Sequence, residues 1–246
     1  MNSFRADLHI HSVLSPCGDL EMSPLNIVNE ASGKGLEVIA VTDHNHTGHS
    51  RLVRQLGEEK DIYVVYGVEL TTMEEVHCLA FFDNDEQIAA IQAYILDHLP
   101  VVENDPDLLG EQLIVDREEM IQQVIGKSLY PGIQKSLMDV CEYVHQIGGL
   151  FVPAHVDRRM NGLYSQLGFF PEDLDADAVE IFRKTKRMEI IEAHPELGRF
   201  QVMKNSDAHF IGDIGRSQSR LIMEARNFTE FGLALRGRNG REVIAL

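Results

Sequence analysis

Apolar residues in this chain come in short runs, and most runs break off at a residue able to hold a metal or a proton. Val38-Ile39-Ala40-Val41 leads into Thr42-Asp43-His44, and Tyr63-Val64-Val65-Tyr66 into Gly67-Val68-Glu69. Leu150-Phe151-Val152 leads into Pro153-Ala154-His155, and Phe200-Gln201-Val202-Met203 into Asn205-Ser206-Asp207-Ala208-His209. The opening run finishes the same way, at Asp7-Leu8-His9-Ile10-His11. Runs of this length read as buried strands. Between them lie helical patterns: Ser23-Pro24 as a cap and first turn, with Ile27, Val28 and Ala31 on one face, stopping at Gly33-Lys34-Gly35. Ser50 to Glu59 is a second helix. Strand, helix, strand, helix, strand is the order that right-handed crossovers build into a parallel sheet or barrel.

On a strand, residues i and i+2 share a face with Cα atoms about 6–7 Å apart, so His9 and His11 can converge on one cation. Taken alone, a His-x-His pair reads more readily as two incidental surface or core histidines. The repetition of His, Glu and Asp at run ends is what indicates one site assembled from the whole length. Val76-His77-Cys78-Leu79-Ala80-Phe81-Phe82 is a further strand, but its histidine comes near the start. His77 is therefore either a ligand or a residue flanking a buried strand.

From Asp83 to about Gly132 the chain changes character, with acidic clusters between helical patterns. Asp116 and Glu119 resemble a capping box for a short helix through Met120, Ile121 and Val124. This stretch, 83–132, reads as an insertion in a single catalytic domain spanning 1–246: either a lid that selects substrate or a decorated crossover. A helix from about Gln134 to Gln146 follows, with Leu137, Val140, Cys141 and Val144 as its apolar stripe. His145 reads as a surface or helix-terminal residue, and His46 and His49 as surface residues of a loop near the site. Asp177 to Phe182, Phe200 to Lys204 and Ser219 to Met223 read as strands, Met188 to Ala193 and Phe228 to Arg236 as helices.

The formal charge is −17. It argues against stable binding to duplex nucleic acid, which needs a positive surface. Three cysteines, Cys17, Cys78 and Cys141, give no disulfide framework and suit a reducing compartment. No apolar stretch approaches a membrane span, and Met1-Asn2-Ser3-Phe4 lacks the regions of a signal peptide, so a cytoplasmic protein without a membrane partner is expected. The oligomeric state is not legible.

The candidate ligands are His9, His11, His44, Glu69, His77, His155, Asp207 and His209, with Cys17 or Asp19 added from the first loop. At roughly three or four ligands per catalytic metal, the set fits two or three divalent ions, with Glu69 as a bridge. Imidazole with carboxylate suits Zn, Mn or Fe better than Mg or Ca. Between the loop residues, Asp19 offers a hard carboxylate oxygen, whereas Cys17 could serve as a thiolate ligand to Zn. Asp7 and Asp43 read as groups supporting the ligands. Arg158, Arg183 and Arg216 stand in loops near these run ends, and their guanidinium forks match phosphoryl oxygens.

Asp7-Leu8-His9-Ile10-His11-Ser12, Thr42-Asp43-His44, Gly67-Val68-Glu69, Pro153-Ala154-His155 and Ser206-Asp207-Ala208-His209, in that order, resemble the motifs of the PHP (polymerase and histidinol phosphatase) family of metal-dependent phosphoesterases. The resemblance implies a distorted (β/α)7 barrel, here with a mainly helical acidic insertion, and a trinuclear site at the strands' C-terminal ends. It would give His9, His11, Glu69 and Asp207 to one metal, Glu69, His77 and His155 to a second, and the first-loop ligand with His44 and His209 to a third. It implies catalytic roles for Glu69, Asp207 and His209. The chain departs from the family pattern at Ser15-Pro16-Cys17-Gly18-Asp19. The implied activity is hydrolysis of a phosphate ester by a metal-activated water, on a small metabolite, a nucleotide or a short oligonucleotide end. The alternative is a metal-binding regulatory or assembly module without catalysis.

Overall fold

The computed structural model of the protein describes residues 1–182 and 184–246. The chain opens with β1 (Asn2–Ile10), α1 (Pro24–Gly33), β2 (Val38–Val41), α2 (Ser50–Glu58) and β3 (Tyr63–Val64). It continues through β4 (Tyr66–Thr71), β5 (His77–Phe82), α3 (Asp85–His98), α4 (Pro106–Leu109), β6 (Leu113–Val115) and β7 (Ile121–Val124). Then follow α5 (Leu137–Gln146), β8 (Leu150–Pro153), α6 (Leu163–Leu167), β9 (Val179–Glu180), α7 (Arg187–Ala193) and β10 (Val202–Met203). The last elements are β11 (Ser219–Met223), α8 (Phe228–Leu235) and β12 (Glu242–Ala245).

Local chemistry explains several boundaries. The Ser23 hydroxyl accepts the Asn26 amide and Pro24 opens α1, which buries Ile27, Val28 and Ala31. Capping boxes start α3 (Asn84 with Gln87) and α5 (Ser136 with Asp139). The stripe Leu137, Val140, Cys141 and Val144 of α5 is buried as its spacing predicts.

Among the described residues, hydrogen bonding divides the strands into separate sheets. One runs β12-β11-β1-β2-β3, another β4-β5-β8, and β9-β10 and β6-β7 are pairs. Single contacts join them: His44 bridges to Glu69, Ile10 bridges to Ala208, and the Val156 amide donates to the Glu180 carbonyl. The mixed α/β fold is as expected. β5 runs antiparallel to both β4 and β8, which explains the odd position of His77. In an antiparallel hairpin the start of β5 faces the end of β4, so His77 pairs with Thr71 and reaches the same edge as Glu69.

Three expectations need correction. The helix through Met120, Ile121 and Val124 is instead a β-hairpin: the Asp116 carboxylate accepts the Glu118 and Met120 amides and closes its turn. Aspartate bonds nearby amides as readily in turns as at helix caps, so the local signal does not separate the two. The strands expected over 177–182 and 200–204 shrink to Val179–Glu180 and Val202–Met203. Among the described residues, no helix is long and apolar enough to cross a membrane.

Candidate metal centre

The edge where β1, β2, β4 and β8 end and β5 begins gathers a buried cluster around Glu69. Its Oε2 lies 3.1 Å from His44 Nδ1, 3.2 Å from His11 Nε2 and 3.3 Å from His9 Nε2. Its Oε1 lies 2.9 Å from His77 Nδ1 and 3.2 Å from His155 Nε2. Asp207 Oδ1 approaches His11 at 3.4 Å, His9 at 3.5 Å and His209 at 3.7 Å. Rings also stack here: His11 on His209 at 4.2 Å, and His9 on His155 at 5.7 Å between centroids. Three sets, His9/His11/Glu69, His11/His44/His209 and His44/Glu69/His77, each bring one donor atom apiece within 4.8 Å of the others.

The backbone is strained where two of these side chains enter. His155 has φ 28° and Asp207 φ 50°. Residues other than glycine avoid this left-handed region at a cost of about 1–3 kcal/mol, and such strain clusters at functional sites.

Fixed partners hold the outer faces of the imidazoles. His9 Nδ1 donates to Glu180 Oε2 at 3.0 Å, and Glu180 also accepts from the Asn205 amide group at 2.7 Å and from the His155 backbone amide at 2.9 Å. His11 Nδ1 donates to Ser15 Oγ at 3.0 Å, which donates on to Asp43 Oδ1 at 2.7 Å. Asp43 also accepts from the Ser12 amide and hydroxyl at 2.7 and 2.6 Å. With Nδ1 protonated on both rings, each Nε2 turns a lone pair inward, the arrangement that orients metal-ligating histidine. Asp7 sits deeper and accepts from the Ser206 and Gly215 amides. Burial raises its pKa to about 6.

The residues fit divalent transition-metal ions. Glu69 Oε2 is buried, faces three ring nitrogens, and makes no aligned hydrogen bond among the described residues; His77 Nδ1, though 2.9 Å from Glu69 Oε1, is likewise unaligned. His9 Nε2 and His11 Nε2 approach to 3.2 Å, where two inward lone pairs would repel unless a cation or proton lay between them. The field agrees. Burial opposes charge on Glu69, yet His77, His9 and His44 outweigh it and hold its pKa well below the carboxylate range. Burial opposes a cation on His11 too, but Asp207 and Glu69 overcome it and raise its pKa to about 9. Burial carries His209 down to about 4 and depresses His44, leaving neutral imidazoles of the kind that ligate.

Other expected residues are placed differently. Asp19 turns its carboxylate to the Glu21 amide, and its own amide donates to the His209 carbonyl. Cys17 is partly buried; burial first, then Glu69 and Asp207, push its thiol up to about 12. Neither belongs to the three donor sets. Arg158 reaches the cluster, with Nη1 at 2.7 Å from Asp207 Oδ2. Arg216 pairs with Asp213, three residues away, on the surface, and Arg183 lies outside the described residues. His49 is not a surface residue: it is 1% exposed, accepts the Val115 amide at Nε2 and donates from Nδ1 to Ser12 Oγ. His145, expected at the surface or at a helix end, stands in the last turn of α5, half-buried and paired with Asp177. Glu180 was missed, although a carboxylate in the apolar run Ala178-Val179-Glu180-Ile181 could have flagged it.

A profile of the PHP domain matches residues 7–147, more than half of the chain. The uncharacterized protein YqxK of Bacillus subtilis is 33% identical over 120 residues, 46% of this chain and 30% of that protein. Phosphoribosyl 1,2-cyclic phosphate 1,2-diphosphodiesterase of Eggerthella lenta is 32% identical over 68 residues, 28% of this chain and 25% of that one. The chain thus spans well under half the length of these relatives. Among solved structures, the lesion-specific endonuclease PfuEndoQ of Pyrococcus furiosus superposes with a TM-score of 0.74 at 18% identity, covering 98% of this chain and 58% of its own. A complex of Endonuclease Q with a 27-mer duplex bearing an abasic lesion gives 0.71 at 17% identity, covering 98% and 58%. The expectation that excluded duplex nucleic acid is overturned by that complex. Net charge sums over a whole molecule, whereas a strand meets the local field of a site. Five motifs, their convergence on Glu69 and the matched profile agree: the chain belongs to the PHP domain family.

Proposed function

We propose that this chain is a metal-dependent phosphoesterase, a hydrolase of phosphate ester bonds, with a nucleotide or nucleic-acid strand as its preferred substrate. The observation that carries this is the placement of five imidazole nitrogens within 3.3 Å of one buried carboxylate, Glu69. So many donors around an anion have no comparable use in packing a core. His9, His11, His44, Glu69, His77, His155, Asp207 and His209 would hold two or three ions of Zn, Mn or Fe, with Glu69 shared between them. When bound, such ions lower the pKa of water and neutralise phosphoryl charge. Arg158, beside Asp207, is the group placed to meet a phosphoryl oxygen.

In this reading β1, β2, β4, β5, β8, β9 and β10 follow one another round a distorted barrel; the single-residue contacts between the sheets support that order. Residues 83–132 act as its cover. Their hairpin donates Leu113 N–H to the Val13 carbonyl and Val115 N–H to His49, beside the first loop. The likeness to Endonuclease Q and to a diphosphodiesterase supports phosphodiester chemistry.

Elemental analysis and a hydrolysis screen test the proposal together. Protein reconstituted with Mn or Zn should bind two or three equivalents and cleave esters among nucleotides, sugar phosphates and oligonucleotides. Glu69→Gln should lose at least about a hundredfold of that rate while keeping its fold, since second-shell losses alone cost 10–100-fold. Full metal loading without turnover of any ester would favour the non-catalytic metal-binding module.

A further inference from the structure

We infer that Tyr130 is the specificity-determining residue of this site, a platform on which the nucleobase of a nucleotide or strand stacks beside the metal cluster. This rests on the reading of the cluster as a phosphate-ester site.

The chain has six tyrosines. Tyr94 stacks on Tyr143, Tyr164 stacks on His194, and Tyr66 donates to Asp85. Tyr130 alone among them is exposed, at 52%, and it stands where the insertion meets the cluster: its ring lies 6.1 Å from that of His44. An exposed ring is ordinary where a segment is loose, but this segment is fastened on both sides. Asn45, fully buried and next to His44, donates from one amide nitrogen to the Leu129 carbonyl at 2.9 Å and the Pro131 carbonyl at 3.0 Å. Those are the residues flanking Tyr130. Asn45 is itself tied to β4, its amide donating to the Glu69 carbonyl at 2.8 Å and its side-chain oxygen accepting from the Thr71 amide. It holds a left-handed φ of 48° to do so. On the other side, buried Gln112 accepts the Leu129 amide at 2.8 Å.

The insertion is thus pinned to the strand carrying Glu69, and the pin presents an aromatic face to solvent. Burial, then Cys17, raise the phenol above its ordinary pKa, so the ring is neutral at working pH. A fixed neutral ring loses little freedom on binding, and every base has a face to stack on it. A phosphoryl group at Glu69 and Arg158 would leave its attached nucleoside at this edge.

Because the chain has no tryptophan, Tyr130→Trp places a single tryptophan at the platform, whose emission is excited apart from that of the remaining tyrosines. With metal-loaded protein, adenosine monophosphate should quench its emission, and ribose 5-phosphate, which carries phosphate without a base, should not. By calorimetry, Tyr130→Ala should bind adenosine monophosphate about ten- to a hundredfold more weakly, with ribose 5-phosphate unchanged. Tyr130→Phe should bind both like the native protein. Equal loss for both ligands in the alanine variant, loss for neither, or absent quenching would overturn the platform. Quenching without turnover of any ester would overturn the phosphoesterase reading and leave the platform standing, whereas turnover of base-free esters without quenching would do the reverse.

Discussion

His9 Nδ1 donates to Glu180 Oε2 across 3.0 Å in a fully buried pair, and Glu180 is simultaneously held by Asn205 and the His155 amide. One carboxylate therefore orients the ring of His9 and the backbone of His155. Glu180→Gln retains the shape but replaces one acceptor oxygen with a donor that opposes the His9 Nδ1 proton. We expect metal affinity to fall about 10–100-fold, the range for losing such a partner, with the fold intact by circular dichroism. Undiminished affinity in a competition titration against a chelator would show that Glu180 serves only packing.

Arg158 is pulled toward Asp207, whose carboxyl burial would raise but which His9 and His11 hold well below its ordinary range. If the guanidinium meets substrate phosphate, Arg158→Ala and Arg158→Lys should each lower kcat/KM by about ten- to a hundredfold, the worth of one charge-assisted contact. Metal content and melting temperature should not change. A parallel fall in metal content would make Arg158 a holder of Asp207 instead, and unchanged kinetics in the alanine variant would remove it from the site.

A pH effect arises at the start of β8, where Asp177 accepts the Phe151 amide. His145 Nε2 lies 2.9 Å from Asp177 Oδ2, and Asp175 lies 3.9 Å from its other nitrogen. Hydrogen bonds to Asp177, then Cys141, raise the His145 pKa to about 10 from an ordinary 6.5. A raised histidine pKa stabilises the fold fully below the unfolded value and loses that contribution as pH climbs through the folded one. The stability gap between native protein and His145→Gln, from urea melts, should be widest near pH 6 and close toward pH 10. A gap that widens with pH would mean the pair does not hold a cationic imidazole.

Legibility in the sequence followed the range of the interactions. The ends of β1, β2 and β8 and the first helices could be read because apolar runs, caps and breakers act within a few residues. The convergence of His9, His11, His44, Glu69, His155, Asp207 and His209 could be anticipated because consecutive α/β units return their strand ends to one edge. His77 was ambiguous for the same reason: nothing in its neighbourhood says that β5 runs antiparallel. Asp116 misled because an aspartate bonds nearby amides in a hairpin turn as it does at a helix cap.

By itself, then, the sequence determined the alternation of elements outside the insertion, the chemical type of the site and the family, all written in short-range pattern and motif order. Only the tertiary structure decided which atoms share Glu69, that Glu180 and Asp43 orient the rings, that His49 is buried under the hairpin, and that Asn45 fastens Tyr130 beside His44. Those relations join residues far apart in the chain. Their energies depend on desolvation and on the directions of individual hydrogen bonds, which no local pattern of residue types encodes.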